Sequence, residues 1–101
     1  MSANIIQLKL VLKDNRKKEK KVDEVRRVDM DLDNLNFTRL EDKLIREFDQ
    51  LGYNNSNKFK VTWTDKDGDM VTIDSNKNLE IALHDMAGRN EIFRLVIDLY
   101  D

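Results

Sequence analysis

The sequence predicts an α+β fold: one five-stranded mixed sheet carrying two helices, in the order ββαββαβ. Two observations predict it. Five segments alternate apolar with polar residues or run apolar almost throughout, and two others repeat apolar residues at spacings of three and four. A chain of 101 residues that is 40% hydrophobic holds one domain with one modest core.

Residues 5–13, "IIQLKLVLK", place Ile6, Leu8, Leu10 and Leu12 on one parity and Gln7, Lys9, Val11 and Lys13 on the other. That is the period of a half-buried strand. "DNRKKEKK" has no apolar residue and reads as a turn or loop. From Val22 to Leu32 a second strand is expected, with Val28, Met30 and Leu32 inward and Arg27, Asp29 and Asp31 outward. The first helix comes next. Phe37, Leu40, Leu44, Ile45, Phe48 and Leu51 form its apolar stripe, Asn36 or Asn34 caps it, and Gly52 ends it. "KFKVTWT" then sends Phe59, Val61 and Trp63 inward. "DKDG" turns the chain, and "DMVTID" carries a shorter strand through Val71 and Ile73. Residues 76–87 make the second helix, with Leu79, Ala82, Leu83 and Met86 buried and Gly88 at its end. "EIFRLVIDLY" is apolar at most positions, which suits a central strand. This order of elements is that of the ubiquitin-like β-grasp, a single sheet with helix packed on one face.

Charge carries the functional signal. Charged residues make up 38% of the chain, yet the net charge is only −2. The signs are segregated. Positions 9–27 hold Lys9, Lys13, Arg16, Lys17, Lys18, Lys20, Lys21, Arg26 and Arg27, whereas positions 65–80 hold Asp65, Asp67, Asp69, Asp74 and Glu80. A chain with a basic half and an acidic half can be complementary to a copy of itself. Cysteine is absent, which excludes a disulfide framework and a thiol nucleophile and fits a reducing compartment. No stretch has the apolar length of a membrane span or of a signal-peptide core.

The aspartates of "TWTDKDGDMVTIDSN" hold a metal or face a cation. An EF-hand loop needs glycine at its sixth position and glutamate at its twelfth. Counted from Asp65, those positions are Met70 and Asn76, and the flanks read as strands. An Asp-Gly hairpin turn accounts for Asp67 and Gly68 but does not require Asp65, Asp69, Asp74 and Glu80.

The stretch "KFKVTWTDKDGDMVTIDSNKNLEIAL" resembles the acidic OPCA motif of the Phox-and-Bem domain family, an aromatic-bearing strand running into Asp-x-Asp-Gly-Asp, a short strand and a Ser-x-x-x-Leu helix start. The resemblance implies a ubiquitin-like interaction domain that binds another front to back. Asp65, Asp67, Asp69, Asp74 and Glu80 would form its acidic docking face. Lys9 on the first strand and Arg26 and Arg27 on the second, joined by Lys20 and Lys21, would form its basic docking face. Carrying both surfaces makes the chain similar to the mixed type of the family. "KVDEVRRVDM" and "EIFRLVI" are most like the N-terminal domain of sequestosome-type selective autophagy receptors. That resemblance implies self-association into polymers that serve a cytoplasmic scaffold, in bodies or aggregates. The 101 residues would then be one interaction domain at the front of a longer protein. The alternative is association with a different Phox-and-Bem partner, a kinase or signalling scaffold, without self-polymerisation. One departure stands out: the residue before the helix leucine, acidic in the family, is Asn78 here.

Other residues have plain readings. His84 lies at a helix flank with no nucleophile paired to it, Trp63 is core packing, the methionines are core filler, and "RKKEKK" is a solvated loop, an aid to the basic face or a contact for an anionic partner. The chain ends "LVIDLYD", not in the glycine tail that a conjugated modifier needs. A pI near 5.4 and the lack of aromatic residues among the lysines argue against nucleic-acid binding. No nucleophile–base pair, metal spacing or phosphate-cradling loop points to an enzyme, a cofactor, a metal or a small-molecule substrate.

Overall fold

The computed structural model describes residues 5–15, 23–48, 51, 58–89 and 92–100. The strands are β1 (Ile5–Asp14), β2 (Glu24–Asp31), β3 (Lys58–Thr64), β4 (Met70–Ile73) and β5 (Phe93–Tyr100). Helix α1 spans Phe37–Glu47 and α2 spans Asn76–Arg89. The sheet order is β2-β1-β5-β3-β4. Strands β1 and β5 pair in parallel and the other neighbours pair antiparallel, so the sheet is mixed and the architecture is the ubiquitin-like β-grasp. The nearly unbroken apolar strand β5 is the central one. Its Leu95, Ile97 and Leu99 are completely buried.

One face of the sheet carries the core. Leu8, Leu10 and Leu12 of β1 meet Leu40, Leu44, Phe48 and Leu51 from the α1 segment and Leu79 and Ala82 of α2. Fully burying one such leucine or phenylalanine stabilises by about 1.5–3 kcal/mol. Helix α1 starts where Asn36 Oδ1 accepts from Arg39 N at 2.8 Å. A second orphan donor, Phe37 N, reaches Asn76 Oδ1 at 2.7 Å, so the start of α1 is tied to the first residue of α2.

The structure corrects several expectations. Strand β2 stops at Asp31, whose carboxylate accepts from Asp33 N at 3.0 Å and caps a short 3-10 turn, Leu32–Asn34. Leu32 therefore leaves the strand before it can point inward. Ile45 is 38% exposed because the buried stripe runs through Leu40, Leu44 and Phe48. Helix α2 continues through Gly88 to Arg89. Met70 is 60% exposed and is no core filler. Val11, on the outward parity of β1, is nonetheless buried, as are Val96 and Thr62 beside it. The register groups them: Val11 pairs with Val96 and Val96 with Thr62, a row of short β-branched side chains that pack against one another across three strands. Val22 and Gly52 lie outside the described residues.

Candidate docking faces

Among the described residues no helix packs on the sheet face opposite the core, and the side chains of that face fall into rows set by register. Lys9 pairs with Arg27 across β1–β2 and with Arg94 across β1–β5. Three cations therefore lie side by side on β2, β1 and β5, all on the outward parity. Among the described residues none of the three has an ion-pair partner. Beyond the valine row the pattern changes. Lys13 pairs in register with Asp98, Asp98 with Lys60, and Lys13 Nζ lies 3.8 Å from Asp23. That row alternates in sign and neutralises itself. Among the described residues of this sheet face, the row of Arg27, Lys9 and Arg94 is the one built of cations alone. Arg94 carries no motif of its own in the sequence. Its signal is its outward parity within "IFRLVI", which acquires meaning only once β5 is known to lie beside β1.

Arg26 and Arg27 are adjacent in a strand, so they face opposite ways. Arg26 pairs with the inward residue Leu10 and points to the helix side. There Nη2 donates to Glu24 Oε1 at 2.7 Å, Nη1 lies 3.7 Å from Glu47 Oε2, and the guanidinium sits 5.3 Å from the centroid of the Phe48 ring. The hydrogen bond to Glu24, reinforced by the charge of Glu47, holds this guanidinium above its ordinary pKa. Lys20 and Lys21 lie outside the described residues.

The acidic turn joins β3 to β4. Asp65 N donates to Asp69 O at 2.9 Å and Gly68 N to Asp65 O at 3.0 Å, closing a three-residue hairpin loop. Gly68 has φ +85°, the left-handed conformation such a loop requires. Asp65 Oδ1 accepts from both Asp67 N and Asp69 N at 2.9 Å. One carboxylate oxygen thus builds the turn, and the side chains of Asp67 and Asp69 are left exposed around it. Asp74 and Glu80, also exposed, flank the start of α2. Asn78 is occupied locally. Its Oδ1 accepts from Ser75 Oγ at 2.9 Å and from Asp74 N at 3.4 Å, while its own N–H donates to Ser75 Oγ at 3.2 Å. This is a variant of the capping box, in which asparagine holds the glutamate position and its oxygen takes the Ser75 hydroxyl and the Asp74 N–H in place of the Ser75 N–H. Two exposed lysines, Lys66 and Lys77, interrupt the acidic surface.

Strand β5 separates β1 from β3, so Lys9 lies two strand spacings, about 10 Å, from the strand that leads into the acidic turn. Among the described residues Lys9 forms no ion pair with Asp65, Asp67 or Asp69. No three described carboxylates or histidines converge into a group that could hold a metal ion. His84 is exposed on α2.

Residues 14–99 match the PB1 domain family. The solution structure of the PB1 domain of Cdc24p (long form) is 23% identical, with a TM-score of 0.71 over 95% of this chain and 96% of that one. The AtNBR1 PB1 domain, solved in an L-type filament by cryo-electron microscopy, is 19% identical with a TM-score of 0.53, covering 96% of this chain and 97% of that one. A separate structure of the AtNBR1 PB1 domain is 18% identical with a TM-score of 0.52 and the same coverage. No curated protein sequence matches the chain.

Proposed function

The chain belongs to the PB1 (Phox-and-Bem) domain family of non-catalytic modules that bind other PB1 domains, and from that premise we propose that it binds copies of itself front to back. The basic face of one copy, Lys9 and Arg27 with Lys20 and Lys21, receives the turn of the next, with Asp67 and Asp69 foremost and Asp65, Asp74 and Glu80 around them. One observation carries the reading. Lys9 and Arg27 stand two and three strand spacings from β3, the strand that leads into the acidic hairpin, and among the described residues they form no ion pair with it. An ammonium can reach several carboxylates at once, whereas an arginine offers a planar fork for bidentate pairing. Each exposed pair contributes only about 0.2–1 kcal/mol, so several must act together.

A likeness to a domain that forms a filament supports polymerisation here. The wider reading is a cytoplasmic scaffold of the sequestosome type serving selective autophagy. It rests on "KVDEVRRVDM" and "EIFRLVI". Linking copies would raise the avidity of anything attached to them.

The test is size in solution. Lys9→Ala and Asp67→Ala should each reduce large assemblies to monomers in gel filtration with light scattering, and mixing the two should give a capped heterodimer. Wild-type elution by both variants would sink the proposal. A second reading, association with a different PB1 domain, draws on Lys66, Lys77 and the occupied Asn78, which weaken the acidic surface. A pull-down in which a foreign PB1 domain outcompetes the chain's own copies would favour it.

A further inference from the structure

We propose that Arg94, and not Arg26, completes the surface that receives the partner's carboxylates, so that the receiving unit is the three-strand row Arg27–Lys9–Arg94. The inference rests on the front-to-back reading and specifies its basic side. Three observations carry it. First, Arg94 is in register with Lys9, on the same face and on the adjacent strand. Its exposed guanidinium extends the cationic surface from the sheet edge to the central strand. Second, Arg26 points to the other face and is already held by Glu24, Glu47 and the Phe48 ring. Recruiting it to a partner would mean breaking these contacts and turning the side chain round the edge of the sheet. Third, like charges set directly opposite one another across strands destabilise a sheet. Lys9 stands opposite a cation on both sides, whereas the row beyond the valines is compensated by alternating signs. Asp29 lies diagonal to Lys9 on the same face, but among the described residues it forms no ion pair with the row, and a partner's carboxylates would relieve the like-charge cost that remains.

The geometry makes opposite demands of the two arginines, and calorimetry on a capped pair separates them. The donor is the chain carrying Lys9→Ala, with its acidic turn intact. The acceptor carries Asp67→Ala and Asp69→Ala, with its basic row intact. Adding Arg94→Gln to the acceptor should weaken binding roughly three- to tenfold, flatten the salt dependence, and leave its melting temperature unchanged or raised. Arg94→Lys should recover part of the affinity. Arg26→Gln should do the converse: binding within about twofold of the parent, with a lowered melting temperature. If the parent pair binds while Arg94→Gln changes affinity less than twofold, or Arg26→Gln weakens it more than Arg94→Gln does, the assignment is wrong and front-to-back docking stands. If the parent pair fails to bind at all, both fall together.

Discussion

Thr62 stands between Val96 and Thr72 on the sheet face opposite the core, 2% exposed, and among the described residues its hydroxyl has no hydrogen-bond partner. An unpartnered buried hydroxyl carries a desolvation cost of about 1–3 kcal/mol. Valine has the same shape without it. Thr62→Val is therefore expected to stabilise the domain by about 1 kcal/mol, read from the midpoint of urea unfolding at unchanged slope. A lower midpoint would mean that the hydroxyl has a partner. The indole N–H of Trp63 is likewise unpaired, but its ring fills the core, so truncating it would exchange one cost for a larger one. Gly68 poses a different question. A Cβ placed there would meet nothing within 4 Å, so the glycine is needed for its φ of +85° and not for space. Gly68→Ala should destabilise by about 1–2 kcal/mol, the cost of a left-handed L-residue, and Gly68→Asn by less. Equal melting temperatures for the two variants would contradict this.

At the scale of elements, the link between β2 and α1 governs the outcome. Phe48 is fully buried at the end of α1, and Arg26 of β2 lies over its ring. Phe48→Ala should cost about 3–5 kcal/mol, a large share of the 5–15 kcal/mol that holds a domain of this size. Near-native stability in denaturant melts would show that the core closes over the gap. The same elements show what sequence could and could not reveal. Local periodicity located the five strands and two helices given above for the described residues, because the amphipathic period is written into consecutive residues. It also contained the opposed orientation of Arg26 and Arg27, since neighbours in a strand face opposite sides. It could not show that Val11 is buried or that Arg94 stands beside Lys9. Both depend on β1 pairing in parallel with β5, a contact between the two ends of the chain that no local pattern encodes. Asn78 was readable as a departure from the acidic pattern, but its role in the capping box required the helix start to be seen. The acidic turn was legible as a whole, whereas the division of labour within it, with Asp65 building and Asp67 and Asp69 presenting, comes from hydrogen bonds that composition does not contain.

At the scale of the whole molecule, a basic row and an acidic turn on different strands make a contact between identical copies heterologous. Such a contact propagates as a ring or an open helix and does not close as a two-fold dimer. Two consequences can be measured together by light scattering on the wild-type chain. The mean mass should climb above 12.0 kDa as concentration rises, passing twice that value without a plateau there. It should also fall with salt, because the contact is formed by exposed charges and the screening length drops from about 10 Å at 0.1 M to about 3 Å at 1 M. An apolar interface would respond in the opposite direction to a strongly excluded salt such as sulfate. A plateau at two copies would identify a symmetric patch in place of the row and the turn. A mass that held firm at about 1 M salt would place the contact on the exposed apolar residues, among them Met70, Ile81 and Val25.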